Sequence, residues 1–539
     1  MTLSLKHSGD LSQEDKQLLW FSTTDTKPNL SPILKWNNVA ERLEAAYNSC
    51  EETCWTIGRS LAEHRGSDFA RTPTMGAYGT DFRLMLAWVI LAKELVAVQK
   101  NFLIVCDDPW LYREIADLDG VSVGHYPKLW KRKFQLRLRG LFSRFKNSFK
   151  LSVFSFKLKY QRNKTLKGKP TLIVYGHPTS KNNGTDAYFG DLMKHISSLQ
   201  RVLHTDCGLQ LSRDLEGDRT TSLHAWGNPL FALSLIIGSK WHIPSIKHFD
   251  YRSLVTRAIE IENSGSGILM TRWQAHCQNR WMKATKPTKV IWPWENFSWE
   301  RLLCRQAAKA NIKTLGYQHT VIGEHQINFA SRINPSKIKT LPDKIICNGP
   351  AFLQELIDWG HRPETLIVGG AFRINPSYKK IFHKGAPIFV ALSGLLPIAN
   401  EQLILAKQIS EKGKKVFFRP HPMYPVDIRE TDTLIKAKKE MLEHTKLSLV
   451  FFSTGTLGLE AILAGLPTIR FLPDDRVAVQ VLPRNVKVPT ATSKTLPIVL
   501  TRLQQPMHIT WESIFSRVDY AVWRRIILES QNGKANCLA

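Results

Sequence analysis

The stretch KVFFRPHPMYPVDIRETDTLIKAKKEMLEHTKLSLVFFSTGTLGLEAILAGLPTIRFL, at residues 415–472, decides the fold. Its two apolar runs, 416–418 and 447–452, predict strands. The charged segment between the runs predicts one helix, and residues 457–463 predict another. Strands that alternate with helices are typical of a parallel sheet with crossovers, in which ligands bind beyond the carboxyl ends of the strands. The polar residues after the two runs are therefore expected to share one crevice.

These polar residues have the chemistry of a phosphate site. Arg-Pro-His-Pro follows the first run and Ser-Thr-Gly-Thr follows the second, where hydroxyls and backbone N–H groups at a helix start suit a phosphate. A carboxylate further along the helix suits ribose hydroxyls. The alternative is that Ser453 only caps a helix and His421 is a surface turn residue. The candidate phosphate- and nucleotide-binding residues are Arg419, His421, Ser453, Thr454, Gly455, Thr456 and Glu460.

The same motifs resemble the donor half of GT-B glycosyltransferases. They are most similar to the group with a His-Pro motif and a later Ser/Thr pair, which includes bacterial sialyl- and Kdo-type transferases and the CDP-glycerol glycerophosphotransferases of teichoic acid synthesis. In that group the His and the Ser/Thr pair hold the donor phosphate, a role that the resemblance carries onto His421, Ser453 and Thr454. The motifs cover residues 289–472. The resemblance implies an α/β GT-B fold, with two Rossmann-like parallel-sheet domains facing each other across a cleft.

Composition indicates a basic globular protein. The 539 residues carry a formal net charge of +28, which favours anionic partners, and 43% of them are hydrophobic. The eight cysteines lack zinc-ligand spacing and fit a reducing cytosol. The first twenty residues do not resemble a secretory signal, and the most apolar segments, 84–98 and 230–238, are too short to span a membrane. We expect a cytoplasmic protein, peripheral on the inner membrane face.

Much of the charge lies in one basic insert. Residues 128–169 hold fifteen Lys or Arg and no acid, and apolar residues recur there at steps of three and four. An apolar stripe flanked by basic residues is typical of a helix in a membrane interface, so residues 128–167 predict binding to an anionic membrane surface. The alternative is an ordinary basic helix packed on the body. Nucleic acid is disfavoured, because no nucleic-acid-binding fold surrounds the insert. The apolar stripe comprises Trp130, Phe134, Leu138, Leu141, Phe142, Phe145 and Phe149.

The remaining pattern predicts the domain organisation. The predicted units are an N-terminal α/β segment belonging to the first Rossmann-like domain (1–126), the basic amphipathic insert (127–169), an acceptor-side Rossmann-like domain (170–380) and a nucleotide-sugar donor domain (381–539). Further strands are expected at 267–270, 289–292, 313–317, 344–347, 365–368 and from 387, with a domain boundary at 375–385. A long amphipathic helix at 513–528 is expected to cross back to the first domain, as in GT-B enzymes.

Two strand ends in the first half supply candidate bases. Glu295 follows the strand at 289–292, and His319 follows the strand at 313–317. An imidazole takes a proton near pH 7 without a large pKa change, so His319 is the predicted base, with Glu295 orienting it or holding an acceptor hydroxyl. The turn around His319 and the linker around Arg373 resemble those of the CDP-glycerol transferases, although no Gly follows His319. Other candidate cleft-lining residues are His177, Asp186, Gly190, Gln318, Arg373 and Ser393.

The sequence thus predicts a metal-independent GT-B glycosyltransferase without a cofactor. The resemblance implies transfer of a sugar, with a CMP-linked ulosonic acid favoured, from a nucleotide donor to a surface polysaccharide (capsule or O-antigen) or a lipid-linked acceptor. No metal ligand set is predicted, because positive side chains supply the field that a departing phosphate needs. The alternatives are a CDP-glycerol-type glycerophosphotransferase, a sugar-nucleotide epimerase, and a non-catalytic membrane- or nucleic-acid-binding protein on the same scaffold.

Overall fold

The computed structural model describes residues 3–23, 26, 28–98, 101–243, 246–374, 381–421, 428–502 and 509–529. Within these residues the strands form three sheets, and every strand pair is parallel. The predicted α/β class is therefore confirmed. Part of the predicted boundary (375–380) and Pro422 of the His-Pro motif lie outside the described residues.

The N-terminal segment forms a four-stranded sheet of its own, in the order β2-β3-β1-β4. Its elements are β1 (Leu3–Lys6), β2 (Leu19–Ser22), α1 (Val39–Ser49), α2 (Glu51–Glu63), α3 (Phe82–Ala97), β3 (Phe102–Val105), α4 (Pro109–Ala116) and β4 (Val121–Val123). Most of its buried side chains belong to one apolar core with side chains of the middle and C-terminal domains, whereas Trp20, Leu30, Leu103 and Val105 form a separate cluster. The segment is thus separate in its sheet and joined to the first Rossmann-like domain by packing.

The basic insert is one helix of 30 residues, α5 (Leu129–Leu158). It contacts the body through a seam of small and aliphatic side chains: Leu136, Gly140, Ser148, Leu151, Ser155 and Leu158, with Arg144 between them. A Cβ at Gly140 would lie 2.3 Å from the backbone oxygen of Asn263, so the helix approaches too closely for any larger residue. The predicted apolar stripe is not part of this seam and lies exposed.

The middle domain is built on a seven-stranded sheet, in the order β11-β10-β9-β8-β5-β6-β7. Its elements are β5 (Thr171–Val174), α6 (Leu192–His195), β6 (Gln200–Leu203), α7 (Leu209–Asp214), β7 (Thr220–Ser222), α8 (Pro229–Gly238), α9 (Arg252–Asn263), α10 (Gly267–Thr285), β8 (Lys289–Pro293), α11 (Ser298–Lys309), β9 (Lys313–Gln318), β10 (Lys344–Cys347), α12 (Pro350–Asp358) and β11 (Leu366–Val368). The central strands are apolar and buried on both faces, as a parallel sheet covered by helices requires.

The C-terminal domain has a six-stranded sheet, in the order β14-β13-β12-β15-β16-β17. Its elements, with the helices that follow the sheet, are β12 (Ile388–Ala391), α13 (Leu396–Glu411), β13 (Val416–Arg419), β14 (Leu434–Lys436), β15 (Leu449–Phe452), α14 (Leu457–Leu463), β16 (Thr468–Phe471), β17 (Thr490–Ala491), α15 (Leu496–Thr501), α16 (Trp511–Ile514) and α17 (Tyr520–Leu528). Counted within each sheet, both larger sheets begin with the strand order 3-2-1-4-5-6, which is the Rossmann order. The predicted pair of Rossmann-like sheets is confirmed.

The segment 509–529 passes from the C-terminal domain to the middle domain. The indole of Trp523 on α17 is buried against the seven-stranded sheet and donates a 2.9 Å hydrogen bond to the backbone oxygen of Gly369. The neighbouring Gly370 has φ +89°, and a Cβ there would lie 2.2 Å from the backbone oxygen of Arg517. Only glycine fits that crossing.

Three predicted elements differ from the structure. Residues 267–270 begin α10 and are not a strand, because the apolar positions of 267–285 continue at helical spacing and bury one long face. The charged segment before residue 447 forms no α-helix over its described part, 428–446, since residues 434–436 pair with β13 as the edge strand β14. The predicted helix 513–528 is interrupted at residues 515–519, where the chain turns onto the middle domain.

The N-terminal segment also contacts the C-terminal domain. Arg470, fully buried on β16, pairs with Glu44 on α1, and Lys35 pairs with Asp474 at 2.9 Å. The Nδ1 of the buried His325 accepts a 2.9 Å hydrogen bond from the backbone N–H of Gln480, which ties the middle domain to the same junction. No helix among the described residues is both long and apolar enough to cross a membrane.

Candidate functional site

Both Rossmann-like sheets have a switch point, where the strand order reverses and a crevice opens at the carboxyl ends. It lies between β5 and β8 in the middle domain and between β12 and β15 in the C-terminal domain. Glu295 follows β8 at the first switch point, whereas Ser393 and Thr454 follow β12 and β15 at the second. Glu295 lies beside His319 in the middle domain, and Ser393 lies beside Thr454 in the C-terminal domain, so residues from neighbouring strand ends meet at both places.

A buried carboxylate fixes the turn that carries Glu295. Glu300, in the first turn of α11, accepts hydrogen bonds from the backbone N–H groups of Glu295 (3.0 Å) and Asn296 (3.1 Å) and from the indole of Trp292 (2.9 Å). Asn296 has φ +59°, a conformation that asparagine tolerates better than most residues. Asn328 donates to the backbone oxygen of Glu295 at 2.7 Å, so the turn is held from both sides.

The carboxyl group of Glu295 is poised to accept a proton. Burial raises its pKa to about 7, against the opposing effect of the Arg373 guanidinium. Its side chain nevertheless keeps 26% of its surface accessible. A reachable carboxyl group with this pKa is half ionised near neutral pH, which suits a general base.

His319 lies beside Glu295 but is less suited to the predicted role of base. Its Nε2 is 3.6 Å from Glu295 Oε1, and only 6% of the side chain is exposed. Burial, aided by the charge of Arg373, lowers the pKa of His319 to about 3, so the ring is neutral in the physiological range and a weak proton acceptor. The ring of Tyr188 packs edge-on against it, with 5.1 Å between centroids. The geometry therefore favours the reverse of the predicted roles, with Glu295 as the base and His319 as its neighbour.

A cavity of about 450 Å³ opens in front of Glu295. Its wall includes Tyr175 and Trp299, whose indole donates a 2.9 Å hydrogen bond to the Tyr175 hydroxyl. The two rings stand edge to face, with 87° between their planes, and give aromatic surface beside the carboxyl group against which a sugar ring can pack while its hydroxyls are bound. Arg71, Tyr78, Gly79 and Gly267 also line an adjoining cavity of about 460 Å³, which reaches Leu395, Arg476 and Val479 of the C-terminal domain.

Three polar residues of the first cavity were missed by the sequence prediction. His204 and Asp206 follow β6 and pair through Nδ1 and Oδ1 at 3.0 Å. Gln274 on α10 accepts a hydrogen bond from the backbone N–H of Thr205 at 3.0 Å. Neither the Nε2 of His204 nor that of Gln274 has a hydrogen-bond partner among the described residues. The strand-end rule that selected His319 would also have found His204, whereas no sequence signal places Gln274 there.

The second switch point carries hydroxyl groups. The Ser393 and Thr454 hydroxyls lie 3.0 Å apart and bridge the loops after β12 and β15. Ser393 is fixed by Gln402, whose buried amide oxygen accepts the Ser393 backbone N–H at 2.8 Å. Ser453, by contrast, is fully buried, and its hydroxyl donates to the backbone oxygen of Phe471 at 3.0 Å. The hydroxyl of Ser453 therefore supports the turn, and that of Thr454 is the one directed to the crevice loops.

The remaining predicted phosphate-site residues surround this turn. Gly455 has φ +99° and open space around it. The Thr456 hydroxyl donates to Glu460 at 3.2 Å, and burial raises the pKa of Glu460. Arg419 pairs with Glu440 rather than reaching towards the turn. The His421 ring lies against Gly394, where an added Cβ would come within 3.3 Å of it.

Arg373 connects the two switch points electrostatically. Its positive charge opposes the burial-driven rise in the pKa of Glu295 and also of Glu460, which lies on the opposite domain. The guanidinium is exposed and stands 5.4 Å from the ring centroid of Tyr188. The Tyr317 hydroxyl accepts the backbone N–H of Phe372 at 3.1 Å and so holds the preceding residue. An exposed cation is thus held between a candidate base and a candidate nucleotide site.

Four predicted cleft-lining residues have mainly structural contacts. Asp186 is buried against Arg201 at 3.3 Å, and Gln318 is fully buried with its amide oxygen accepting the Asn348 backbone N–H. Gly190 is a turn residue with φ +52°, packed against Phe372. His177 accepts the Thr179 backbone N–H at 3.2 Å and lies partly exposed. Asp186 and Gln318 are too buried to contact a ligand, whereas His177 remains at the edge of the crevice.

Comparisons with known proteins give structural likenesses only. No protein-family model matches the chain, and no curated protein matches it. It is similar to Arabidopsis thaliana UGT89C1 (10% identity, 68% of this chain and 96% of the other covered, TM-score 0.38). It is also similar to the glycotransferase of kitacinnamycin (10%, 62% and 90%, 0.34) and to a putative UDP-N-acetylglucosamine 2-epimerase from Listeria monocytogenes (11%, 56% and 78%, 0.32). At these identities the likeness concerns the arrangement of the backbone alone.

Proposed function

We propose that this chain is a glycosyltransferase, which moves a sugar from a nucleotide donor to a hydroxyl group of a carbohydrate or lipid-linked acceptor. The observation that carries the proposal is Glu295, a reachable carboxyl group whose pKa burial raises to about 7, at the switch point of one sheet. The hydroxyls of Ser393 and Thr454 occupy the switch point of the other sheet. A base and a phosphate-binding turn on separate domains are what transfer between two substrates requires.

The reaction assigns a role to each side of the cleft. The Glu295 carboxylate takes the proton of the acceptor hydroxyl, whose oxygen forms a bond to the anomeric carbon of the donor sugar. The bond between that carbon and the donor phosphate oxygen breaks, and the nucleotide leaves with the electron pair. His421, Thr454 and Thr456 bind the phosphate as its negative charge grows, and Arg373 adds positive charge between the domains. Glu460 is placed to accept hydrogen bonds from the ribose.

The acceptor occupies the cavity in front of Glu295 in this proposal. Tyr175 and Trp299 supply a face for a sugar ring, and the unpartnered Nε2 atoms of His204 and Gln274 meet its hydroxyls. A buried polar atom without a partner is costly, so a ligand that pairs both atoms is favoured over an apolar one. The expected acceptor is therefore a carbohydrate, presented as a polysaccharide end or on a lipid.

The experiment that tests the function is a melting-temperature panel with CMP, CDP, UDP and GDP, followed by the matching nucleotide sugars. We expect one nucleotide to raise Tm by mass action, because it binds the folded chain alone. The resemblance of the His-Pro and Ser-Thr motifs to sialyl- and Kdo-type transferases makes CMP, and a CMP-linked ulosonic acid, the first to test. Release of that nucleotide on addition of an acceptor would establish turnover. Absence of a shift with every nucleotide would reject the proposal.

We place the enzyme in the cytoplasm, peripheral on the inner face of the membrane. Fifteen Lys or Arg in residues 128–169 support this place, since each basic residue near an anionic surface adds about 1 kcal/mol of attraction. A surface polysaccharide or a lipid-linked acceptor would be met there. Fractionation of cells that express the tagged chain, with and without a salt wash, tests the placement, and recovery in the soluble fraction at low salt would contradict it.

A further inference from the structure

The predicted apolar stripe on α5 faces away from the body of the protein. Trp130 is 71% exposed and Phe142 is 72% exposed, and the other members of the stripe are exposed as well. The body is contacted instead by the small-residue seam, about a third of a turn around the helix. Arg144 secures that seam by donating to the backbone oxygens of Ile236 (3.1 Å) and Asn263 (2.8 Å). The helix is thus anchored by one face and presents its aromatic face to the surroundings.

A second helix adds to the same surface. α8, which packs along α5, is apolar on all sides, yet Leu230, Leu233 and Ile237 point outward, with Leu230 75% and Ile237 86% exposed. Their spacing of three and four residues places them on one face. Lys240 and Trp241, just after α8, line a groove of about 870 Å³ together with Phe134, Leu138 and Leu141 of the stripe. The groove places the segment that follows α8 beside the stripe, and the bond from Arg144 to the backbone oxygen of Ile236 places α8 itself along α5.

The geometry points to a single membrane-docking face made of both helices, in which the outward residues of α8 insert beside the α5 stripe into an anionic bilayer. The positive charge of α5 favours an anionic bilayer as the partner of this face. Lys131, Arg139 and Lys146 are exposed on α5, and the ion pairs that α5 makes with other described residues are the long contacts of Lys133 and Arg137 with Glu260, at 3.9 and 4.0 Å. A second copy of the chain would bring like charges together, whereas anionic lipid headgroups neutralise them. The aromatic residues of the stripe could also stack on nucleic-acid bases, but the exposed aliphatic residues Leu230 and Ile237 add nothing to such stacking and fit a lipid phase.

The docking face lies close to the acceptor cavity. Glu260 and Asn263 of α9 line the groove, and Ala258, Ile261 and Glu262 of the same helix line the cavity that leads to Glu295. One helix, about 10 Å across, therefore separates the two. This step rests on the proposed function: a lipid-linked acceptor in the bilayer would enter the cavity from the docked side.

The test is co-flotation of the full chain with vesicles of phosphatidylcholine, with and without phosphatidylglycerol. We expect binding only with phosphatidylglycerol, and weakening with salt. The double variant Leu230→Ser/Ile237→Ser should lower the partition coefficient at least about tenfold, because two large apolar side chains lose their lipid contacts. Ile404→Ser is the matched control: it removes an aliphatic residue, 59% exposed, from α13 of the C-terminal domain and should bind as the wild type does.

Three results would overturn the inference. The first is a double variant that binds like the wild type, which would leave α5 as the only contact. The second is equal binding to neutral vesicles. The third is a dimer, detected by sedimentation, that the double variant abolishes, which would assign the face to a second copy. Failure of the proposed function is seen separately, since nucleotide-induced stabilisation and transfer to a soluble acceptor do not depend on α8.

Discussion

At the scale of single residues, burial gives two neighbouring residues of the candidate site opposite shifts in pKa. Glu295 and His319 lie 3.6 Å apart, and burial moves their pKa values in opposite directions, to about 7 and about 3. Burial disfavours the charged form of each group, which is the acid form of a histidine and the base form of a carboxyl. The sequence predicts His319 as the base from unperturbed pKa values, whereas the shifts caused by burial make Glu295 the better candidate.

The pH dependence of transfer tests which residue is the base. The active form of Glu295 is the carboxylate, so kcat/KM should rise with pH up to about 7 and fall tenfold per unit below it. His319, with its pKa lowered to about 3, would leave the rate flat between pH 5 and 8. Glu295→Gln should lower the rate by roughly 10²–10⁴-fold. His319→Gln should retain the pH profile at a reduced rate, and loss of the profile in that variant would restore His319 as the base.

Glu295 should also weaken the fold at alkaline pH. Its folded pKa of about 7 is above the usual 4.5, so the stability it contributes is present at low pH and is lost as pH rises through the folded value. Glu295→Gln should therefore be more stable than the wild type at pH 8, by about 3 kcal/mol as an upper bound, and equal to it near pH 4.5. Urea unfolding of both proteins at the two pH values measures this. A difference independent of pH would show that the carboxyl is not desolvated.

At the scale of elements, the turn between β15 and α14 separates a binding hydroxyl from a structural one. Thr454→Val removes the hydroxyl 3.0 Å from Ser393 and should weaken nucleotide binding about tenfold, as loss of one hydrogen bond predicts. Ser453→Ala removes the bond to Phe471 and should cost about 1 kcal/mol of stability while leaving nucleotide affinity unchanged. Calorimetric titration and thermal melting separate the two. A larger loss of affinity in Ser453→Ala would reassign the site.

Some of the strands and helices could be predicted from the sequence, and others could not. The strands β13 and β15 were predicted because apolar runs bounded by turn residues carry a local signal. The prediction of a strand at residues 267–270 is wrong, because a short apolar run is equally typical of a strand and of the start of a buried helix. The pairing of β14 with β13 and the close contact of Gly140 with Asn263 depend on partners that are not adjacent in the sequence. For the same reason, the position of His319 and Glu295 at strand ends could be predicted from the sequence. Their pKa values could not, because these depend on how the surrounding residues pack.

At the scale of the whole molecule, the N-terminal segment is the brace between the two Rossmann-like domains. It shares its core with the middle domain and meets the C-terminal domain through Glu44 and Arg470. Gly323 lies so close to Val481 at this junction that a Cβ would come within 2.3 Å of its Cα. Because the N-terminal segment contacts both domains, its sheet holds the two switch points in position relative to each other on one side of the cleft.

Glu44 makes the most deeply buried ion pair of this brace, which also includes the pairs Lys35–Asp474 and Arg484–Glu51. The Arg470 side chain is 1% exposed and also donates to the backbone oxygen of Ala478 at 2.6 Å, so it stays buried when Glu44 is removed. A buried guanidinium without its carboxylate costs about 3–5 kcal/mol. We therefore expect Glu44→Ala to lower the stability of the C-terminal domain and to split the calorimetric unfolding into two transitions. Glu41→Ala, an exposed carboxylate on the same helix, is the matched control and should melt as the wild type does. If Glu44→Ala also melted as the wild type, apolar packing and the other ion pairs of the N-terminal segment would suffice to hold the domains together, and the Glu44–Arg470 pair would not be needed to keep the two edges of the cleft opposed.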